Sequence, residues 1–369
     1  MTIPMFVPFM SEEAIDNAVN ALRSRWIGEG DTVRQFEEAL CEKFGWRYAL
    51  LLNNGTAGLR LALAVAGVGP GDEVISTAMT CTATNTPILE QYARPIFADI
   101  QWSTGNLDPA DIEHRITRRT KAIICVHWGG YPCDLDEIHA VAGRYNIPVI
   151  EDAAHALGAR YHGRNIGGQS QFTMFSFQAI KHLTTVDGGL LAMTDEADYE
   201  EAKRRRWFGI DRERRTPSEE WPGYYHWPQV QVGYKYQPTN VQAAIGLGNL
   251  LHFDEIFAHR VELAAYYRRE LADVPGLRLF HYDDDRRCAW WLFTVHVEGR
   301  RAFHDMMKAR GIETSVCHIR NDLHPVFGPQ RHDLPALNKF QETYICLPMH
   351  QAILFKDAQY IVESIKGGW

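Results

Sequence analysis

Met-Phe-Ser-Phe-Gln-Ala-Ile-Lys-His-Leu-Thr-Thr-Val-Asp-Gly-Gly, residues 174–189, sets a lysine in a glycine-bounded turn between two apolar runs. Phe172–Phe177 is rich in β-formers and reads as a buried strand, and Leu190–Met193 reads as a second. Lys181 lies between them. A lysine is most often a solvated surface charge. One walled by apolar strands loses hydration, which favours the neutral amine. A neutral amine is a nucleophile able to condense with a carbonyl.

Two further stretches, both N-terminal to that one, make the reading specific. Ile147–Ile150 reads as a strand running into Glu151-Asp152-Ala153-Ala154-His155. Asp152 then falls at the carboxyl end of its strand, where open α/β sheets bind ligands. It could cap a helix at Ala153. It could also pair with the ring nitrogen of pyridoxal phosphate held by Lys181. Ala49–Asn53 is a third strand, followed by Asn54-Gly55-Thr56-Ala57-Gly58 and a helix through Ala66. A glycine turn with free amides at a helix start suits a phosphate.

From Tyr48 to Met193 the pattern alternates strand and helix. Strands are expected at Tyr48–Leu52, Glu73–Thr77, Arg94–Ala98, Lys121–Val126, Pro148–Glu151, Phe172–Phe177 and Leu190–Met193. Helices are expected at Ala57–Ala66, Thr82–Gln91 and Asp134–Tyr145. This predicts an α/β fold with a mainly parallel seven-stranded sheet covered on both faces. Two amphipathic helices, Ser11–Arg25 and Thr32–Phe44, precede it, with Ser11 as a cap. Residues 1–248 are expected to form a large cofactor-binding domain. Residues 249–369 are expected to form a smaller C-terminal α/β domain, with a strand at Trp291–Val297 and helices at Arg301–Arg310 and from Phe355.

Composition excludes several classes. Of 369 residues, 46% are hydrophobic and 23% charged, as in an ordinary globular enzyme. The net charge of −8 offers no basic field for nucleic acid. Seven scattered cysteines without a Cys-x-x-Cys pair argue against a disulfide framework or a metal site. No apolar run approaches the ~20 residues of a membrane span, and Met1–Pro4 carries no signal-peptide pattern. A cytoplasmic compartment is expected. Gly67-Val68-Gly69-Pro70-Gly71 precedes a strand instead of following one, so it reads as a turn and not a dinucleotide motif.

Two segments are open to two readings. Lys203–Arg206 ends a helix, so its charges suit the dipole, or an arginine among them meets a substrate diphosphate. Thr216–Val232, with Trp221, Tyr224, Tyr225 and Trp227, is a long aromatic loop suited to a lid or subunit contact.

Taken together, these motifs resemble the DegT/DnrJ/EryC1/StrS sugar aminotransferases, a branch of the fold-type-I pyridoxal phosphate enzymes. The resemblance runs from Ile3-Pro4 through Asn54-Gly55-Thr56, Glu151-Asp152-Ala153-Ala154-His155, Lys181 and Gly188-Gly189 to Gln242-Ala243-Ala244-Ile245-Gly246 and Pro348. It implies that Lys181 holds the cofactor and acts as acid and base, and that Asp152 meets the ring nitrogen. Gly55, Thr56, Ala57 and Ser176 would serve the phosphate, and His155 would pack beside the ring. Lys235 takes a position where relatives carry an asparagine that reaches the partner's cofactor phosphate. Trp26, Gly28 and Glu29 fall in a segment near the sugar, or form a plain turn. His318, Asn321 and His324 fall in a substrate-facing turn, or a polar loop. The resemblance implies L-glutamate as amino donor, a keto sugar, nucleotide-linked, as acceptor, and a homodimer. Amino sugars for surface polysaccharide, such as lipopolysaccharide, or for secondary metabolites are the expected products.

Two positions bear on that reading. Cys81, in Thr80-Cys81-Thr82-Ala83-Thr84, stands where relatives place an aromatic residue on the pyridine face. A sulfur can pack there. Relatives with histidine in place of the lysine are dehydratases working from pyridoxamine phosphate, and here His182 is the neighbour of Lys181. Such a dehydratase, an aminotransferase for a keto sugar acid or cyclitol, and a cofactor-binding regulatory module are the competing readings. The last lacks a basic helix-turn-helix.

Overall fold

The computed structural model describes residues 2–369. All seven expected strands form, in one sheet. They are β1 (Tyr48–Leu52), β2 (Glu73–Thr77), β3 (Arg94–Ala98), β4 (Thr120–Val126), β5 (Val149–Asp152), β6 (Phe172–Ser176) and β7 (Gly189–Met193). Their spatial order is β1-β7-β6-β5-β4-β2-β3. Only β7 runs antiparallel to its neighbours; the other adjacent pairs are parallel. Both faces are covered, and Leu50, Ile123, Ile124, Ile150 and Leu190 are fully buried. That explains why these strands read as continuous apolar runs and not as alternating ones.

The ends of the parallel strands decide where chemistry can occur. β1, β5 and β6 deliver Asn54-Gly55, Asp152 and Ser176 to one edge of the sheet. The helix after β1 spans Gly55–Val65, two residues earlier than expected, because the Asn54 side chain caps it by accepting the Ala57 N–H at 2.8 Å. Ser11 caps the first helix, Glu12–Ser24, in the same way, at 3.1 Å to Ala14 N.

Gly189 starts β7 against this turn. A Cβ there would stand 2.5 Å from the carbonyl carbon of Asn54 and 2.5 Å from the nitrogen of Gly55, both backbone atoms. Gly189→Ala is therefore expected to cost about 1–3 kcal/mol, because the Asn54-Gly55 turn must move. A fall in the thermal unfolding temperature checks this; an unchanged temperature would mean that the turn yields freely.

The chain after the sheet builds a three-stranded antiparallel sheet from β8 (Leu277–Leu279), β9 (Phe293–Val297) and β10 (Tyr344–Leu347), in that order. The helices Phe253–Leu271, Arg300–Ala309 and Phe355–Lys366 cover it with a second core. Ile3 joins that core, its N–H donating to Gly311 O at 2.8 Å. The chain's beginning thus packs with residues after 249, which sequence order alone did not anticipate. A third cluster joins the two parts, with Met79, Phe97 and Trp128 on one side and Phe280, Trp291 and Phe340 on the other. The expected strand at Trp291–Val297 starts only at Phe293. The expected long loop Thr216–Val232 contains a short hairpin pairing Thr216–Pro217 with Tyr225–His226, and its aromatic side chains are exposed. Among the described residues, no helix is long and apolar enough to cross a membrane.

Candidate active site

A cavity of about 640 Å³ opens at the carboxyl edge of the large sheet. Gly55, Thr56, Ala57, Cys81, Asp152, His155, Ser176, Lys181 and His318 all line it. These residues lie far apart in sequence, and the parallel topology brings them together.

Asp152 is buried, and both its oxygens are engaged. Oδ2 accepts from Thr84 Oγ1 at 2.7 Å and Oδ1 from the Ala154 N–H at 3.1 Å. Thr84 gives its one proton to the carboxylate, so Thr80, 2.7 Å away, must donate to Thr84. Burial raises the Asp152 carboxyl above its usual range, while these donors and Lys181 favour the charged form. The preceding residue, Glu151, faces the other way, as strand alternation requires. Its carboxylate meets His127 Nε2 at 2.7 Å and Thr173 Oγ1 at 3.1 Å. His127 Nδ1 accepts the Cys133 N–H at 3.0 Å, so the ring donates to Glu151 through Nε2–H. Glu151 is thereby spent on structure, and Asp152 is the carboxylate left for the cavity.

Lys181 follows β6 in a turn closed by its own N–H to Gln178 O at 2.9 Å. Its amine stands 3.5 Å from the ring centroid of Trp291. Loss of hydration lowers it from 10.5 to about 8, against the upward pull of Cys317, Asp152 and Cys81. His182 turns away, buried, with Nε2 2.7 Å from Ala289 O. The lysine therefore faces the cavity, and the histidine belongs to the core.

The Ala57 N–H is taken by Asn54, so the expectation that Ala57 offers its amide is corrected. The N–H groups of Gly55 and Thr56 precede the first helical hydrogen bond and stand free beside the Ser176 hydroxyl. A Cβ on Gly55 would come within 2.9 Å of Met174 Sδ and 3.3 Å of Ser176 Cβ, so a larger residue there requires the Met174 side chain to shift. His155 is buried with Nδ1 unpartnered, and burial followed by the charge of Lys181 keeps it neutral. His318 has an unpartnered Nε2 and is lowered to about 4 in the same way.

Five other expected residues lie elsewhere in this chain, and one has a structural task. Asn321 is buried, donating to Thr80 O and accepting from Asn85 Nδ2, each at 2.7 Å. It fastens the Cys81 loop and does not face the cavity. His324 sits in the turn beyond it. Glu29 pairs with Arg206 and, at 3.2 Å, with Arg212 in a separate pocket of about 230 Å³. Arg206 is the one member of the basic run that turns inward, also holding Glu37 at 3.1 Å. Trp26 is 69% exposed, and Gly28 has open space around it. Lys235 is exposed, with its amine 5.0 Å from the Trp207 ring. Thr84, Gln178, Tyr236 and Trp291 were not singled out from the sequence. None of the four carried a signal of its own in the sequence.

This set of groups fits pyridoxal phosphate. Free amides and a hydroxyl could hold a phosphate, a buried carboxylate could meet a ring nitrogen, and an amine of lowered basicity could condense with an aldehyde. The model of the DegT/DnrJ/EryC1/StrS aminotransferase family matches residues 8–366. The spore coat polysaccharide biosynthesis protein SpsC of Bacillus subtilis is 35% identical over 378 residues, spanning 99% of this chain and 96% of that protein. The sugar aminotransferase CalS13 from Micromonospora echinospora superposes with a TM-score of 0.94 at 35% identity, covering 100% of both chains. Spr1654 from Streptococcus pneumoniae, whose structure is known in a PLP form, gives a TM-score of 0.90 at 29% identity, covering 100% of this chain and 98% of that one. The chain thus belongs to the DegT/DnrJ/EryC1/StrS aminotransferase family and is a pyridoxal-phosphate-dependent sugar aminotransferase.

Proposed function

We propose that the enzyme moves the amino group of L-glutamate to a nucleotide-linked 4-keto or 3-keto deoxysugar, as a homodimer in the cytoplasm. The observation that carries the reading is the pairing, in one cavity, of an amine lowered to about 8 with a buried, doubly hydrogen-bonded carboxylate. Pyridoxal phosphate, when bound, supplies the aldehyde for that amine and a ring that accepts the electron pair released from the donor's α-carbon. The chain's residues do the rest. Gly55 and Thr56 amides and the Ser176 hydroxyl bind the phosphate. Cys81 would pack on one face of the ring, and His155 would lie beside it. Asp152 keeps a proton on the ring nitrogen. Lys181, freed by the donor, would take the α-proton on Nζ and return it two atoms further along, across the donor nitrogen, completing a 1,3-proton shift. Two half-reactions in one cavity imply ping-pong kinetics.

Lys235, exposed beside Trp207, would complete the partner's phosphate site as a point charge. Trp26–Glu29 and His324 would approach the sugar from the interface. The seven free cysteines fit a reducing compartment. The division into parts 1–248 and 249–369 belongs to the same reading, with Ile3 assigned to the second core.

An absorbance spectrum before and after L-glutamate tests the donor. A near-visible band that gives way to a shorter-wavelength one supports glutamate; a band that responds to other amino acids and not to glutamate overturns it. Ammonia release without amine transfer would favour the dehydratase. Faster turnover with a keto sugar acid or cyclitol than with keto deoxysugars would move the acceptor class.

A further inference from the structure

Trp291 is held more firmly than a wall residue needs to be. It is 2% exposed. Its indole N–H donates to Ile180 O, the carbonyl just before the lysine, at 3.0 Å. Its own N–H donates to Gly129 O at 2.9 Å. The His155 ring stacks on it at 3.8 Å and 18°, and Phe6 stacks at 5.5 Å. The preceding residue, Trp290, takes φ 55°, a conformation a tryptophan adopts only when its surroundings impose it. The buried Arg260 supplies one such restraint by donating to Trp290 O at 3.1 Å.

We propose that Trp291 is the positioning residue of the catalytic lysine, its indole face holding the displaced Lys181 amine and stabilising the ammonium formed when that amine takes a proton. The inference rests on the assignment of Lys181 as acid and base. An indole face attracts a cation through its quadrupole, most strongly when water is excluded. It has no proton to exchange and no net charge. A carboxylate in the same place would hold Lys181 as an ammonium and leave no base. With the indole, the amine can still give up its proton. The groups facing Lys181 are Asp152, Cys81, Cys317, His155 and His318, with His182 behind it. The three histidines are kept neutral by burial and compete little for the proton. Lowering to about 8 is the balance of lost hydration against these attractions.

The test reads the amine directly. The cofactor-free full-length chain is treated with a small acylating reagent across pH, and labelling of the peptide containing Lys181 is followed by mass spectrometry. Only the neutral amine reacts, so the rate rises with pH to a plateau. Trp291→Leu removes the π face, which disfavours the ammonium and moves the midpoint down by about 0.5–1 pH unit. A tryptophan fluorinated on the benzo ring and incorporated at 291 keeps the shape and drains the face. It should move the midpoint the same way and guards against a Trp291→Leu protein that does not fold. Trp291→Phe should return part of the shift. The donor half-reaction of the holoenzyme, followed in single turnover, should show the same order in its pH profile. A midpoint that stays or rises in both the Leu and fluorinated proteins overturns the proposal. A Lys181→Ala enzyme with undiminished turnover would instead overturn the acid–base assignment, whatever the midpoints show.

Discussion

Lys181→Ala is expected to fold normally, to lack the near-visible band, and to lose turnover by roughly four orders of magnitude or more, since one side chain supplies both the covalent link and the proton transfer. The fold should tolerate the change. The turn is closed by the backbone N–H of residue 181 to Gln178 O, which alanine keeps. The amine's close partner is the Trp291 face, and Asp152, though it loses the attraction of Lys181, keeps its two hydrogen-bond donors. Circular dichroism and the unfolding temperature separate the two effects. Partial recovery by an added small primary amine would show that the missing function is the amine itself. Turnover at the wild-type rate would remove the basis of the mechanism.

The second large effect is expected at Asp152. Asp152→Asn keeps the shape, and asparagine caps a turn about as well as aspartate, so the Ala154 N–H retains its acceptor. The amide nitrogen then stands in place of Oδ2, so Nδ2–H donates to Thr84 Oγ1, which can turn its own proton to Thr80 Oγ1. The negative charge facing the ring nitrogen is lost. The donor half-reaction is expected to slow by about 10²–10³-fold, the size of an electrostatic contact made mainly in the transition state. Stability should change by less than about 1 kcal/mol. Single-turnover absorbance gives the rate, and thermal unfolding gives the stability. A rate within tenfold of wild type would mean that Asp152 serves only as the start of the following turn. That local role is the one its sequence context permits equally well.

These two residues were legible in the sequence because each sits in a local pattern with a physical meaning. Lys181 stands in a glycine-bounded turn between apolar runs. Asp152 ends a short apolar strand. A parallel sheet buried on both faces leaves uninterrupted β-forming segments, and all seven were found. The site turn was found for the same reason, since Asn54-Gly55-Thr56 follows a strand directly and opens a helix. The C-terminal strands Leu277–Leu279 and Tyr344–Leu347 were missed, being only 3 and 4 residues long and without a period of their own.

Local sequence determined the strands, the first helix start with its Ser11 cap, and the lysine and carboxylate on which the proposed chemistry rests. Only the tertiary structure decided which side chains share the cavity. It turned Lys181 inward and His182 into the core, gave the Ala57 amide to Asn54, and spent Asn321 on the Cys81 loop. It also set Trp291, 110 residues further along the chain than Lys181, at 3.5 Å from the amine. The reason is that a hydrogen bond or a π contact depends on where two distant segments meet. That meeting is fixed by sheet order and by the packing between the two cores, and neither leaves a mark in the spacing of residues along the chain.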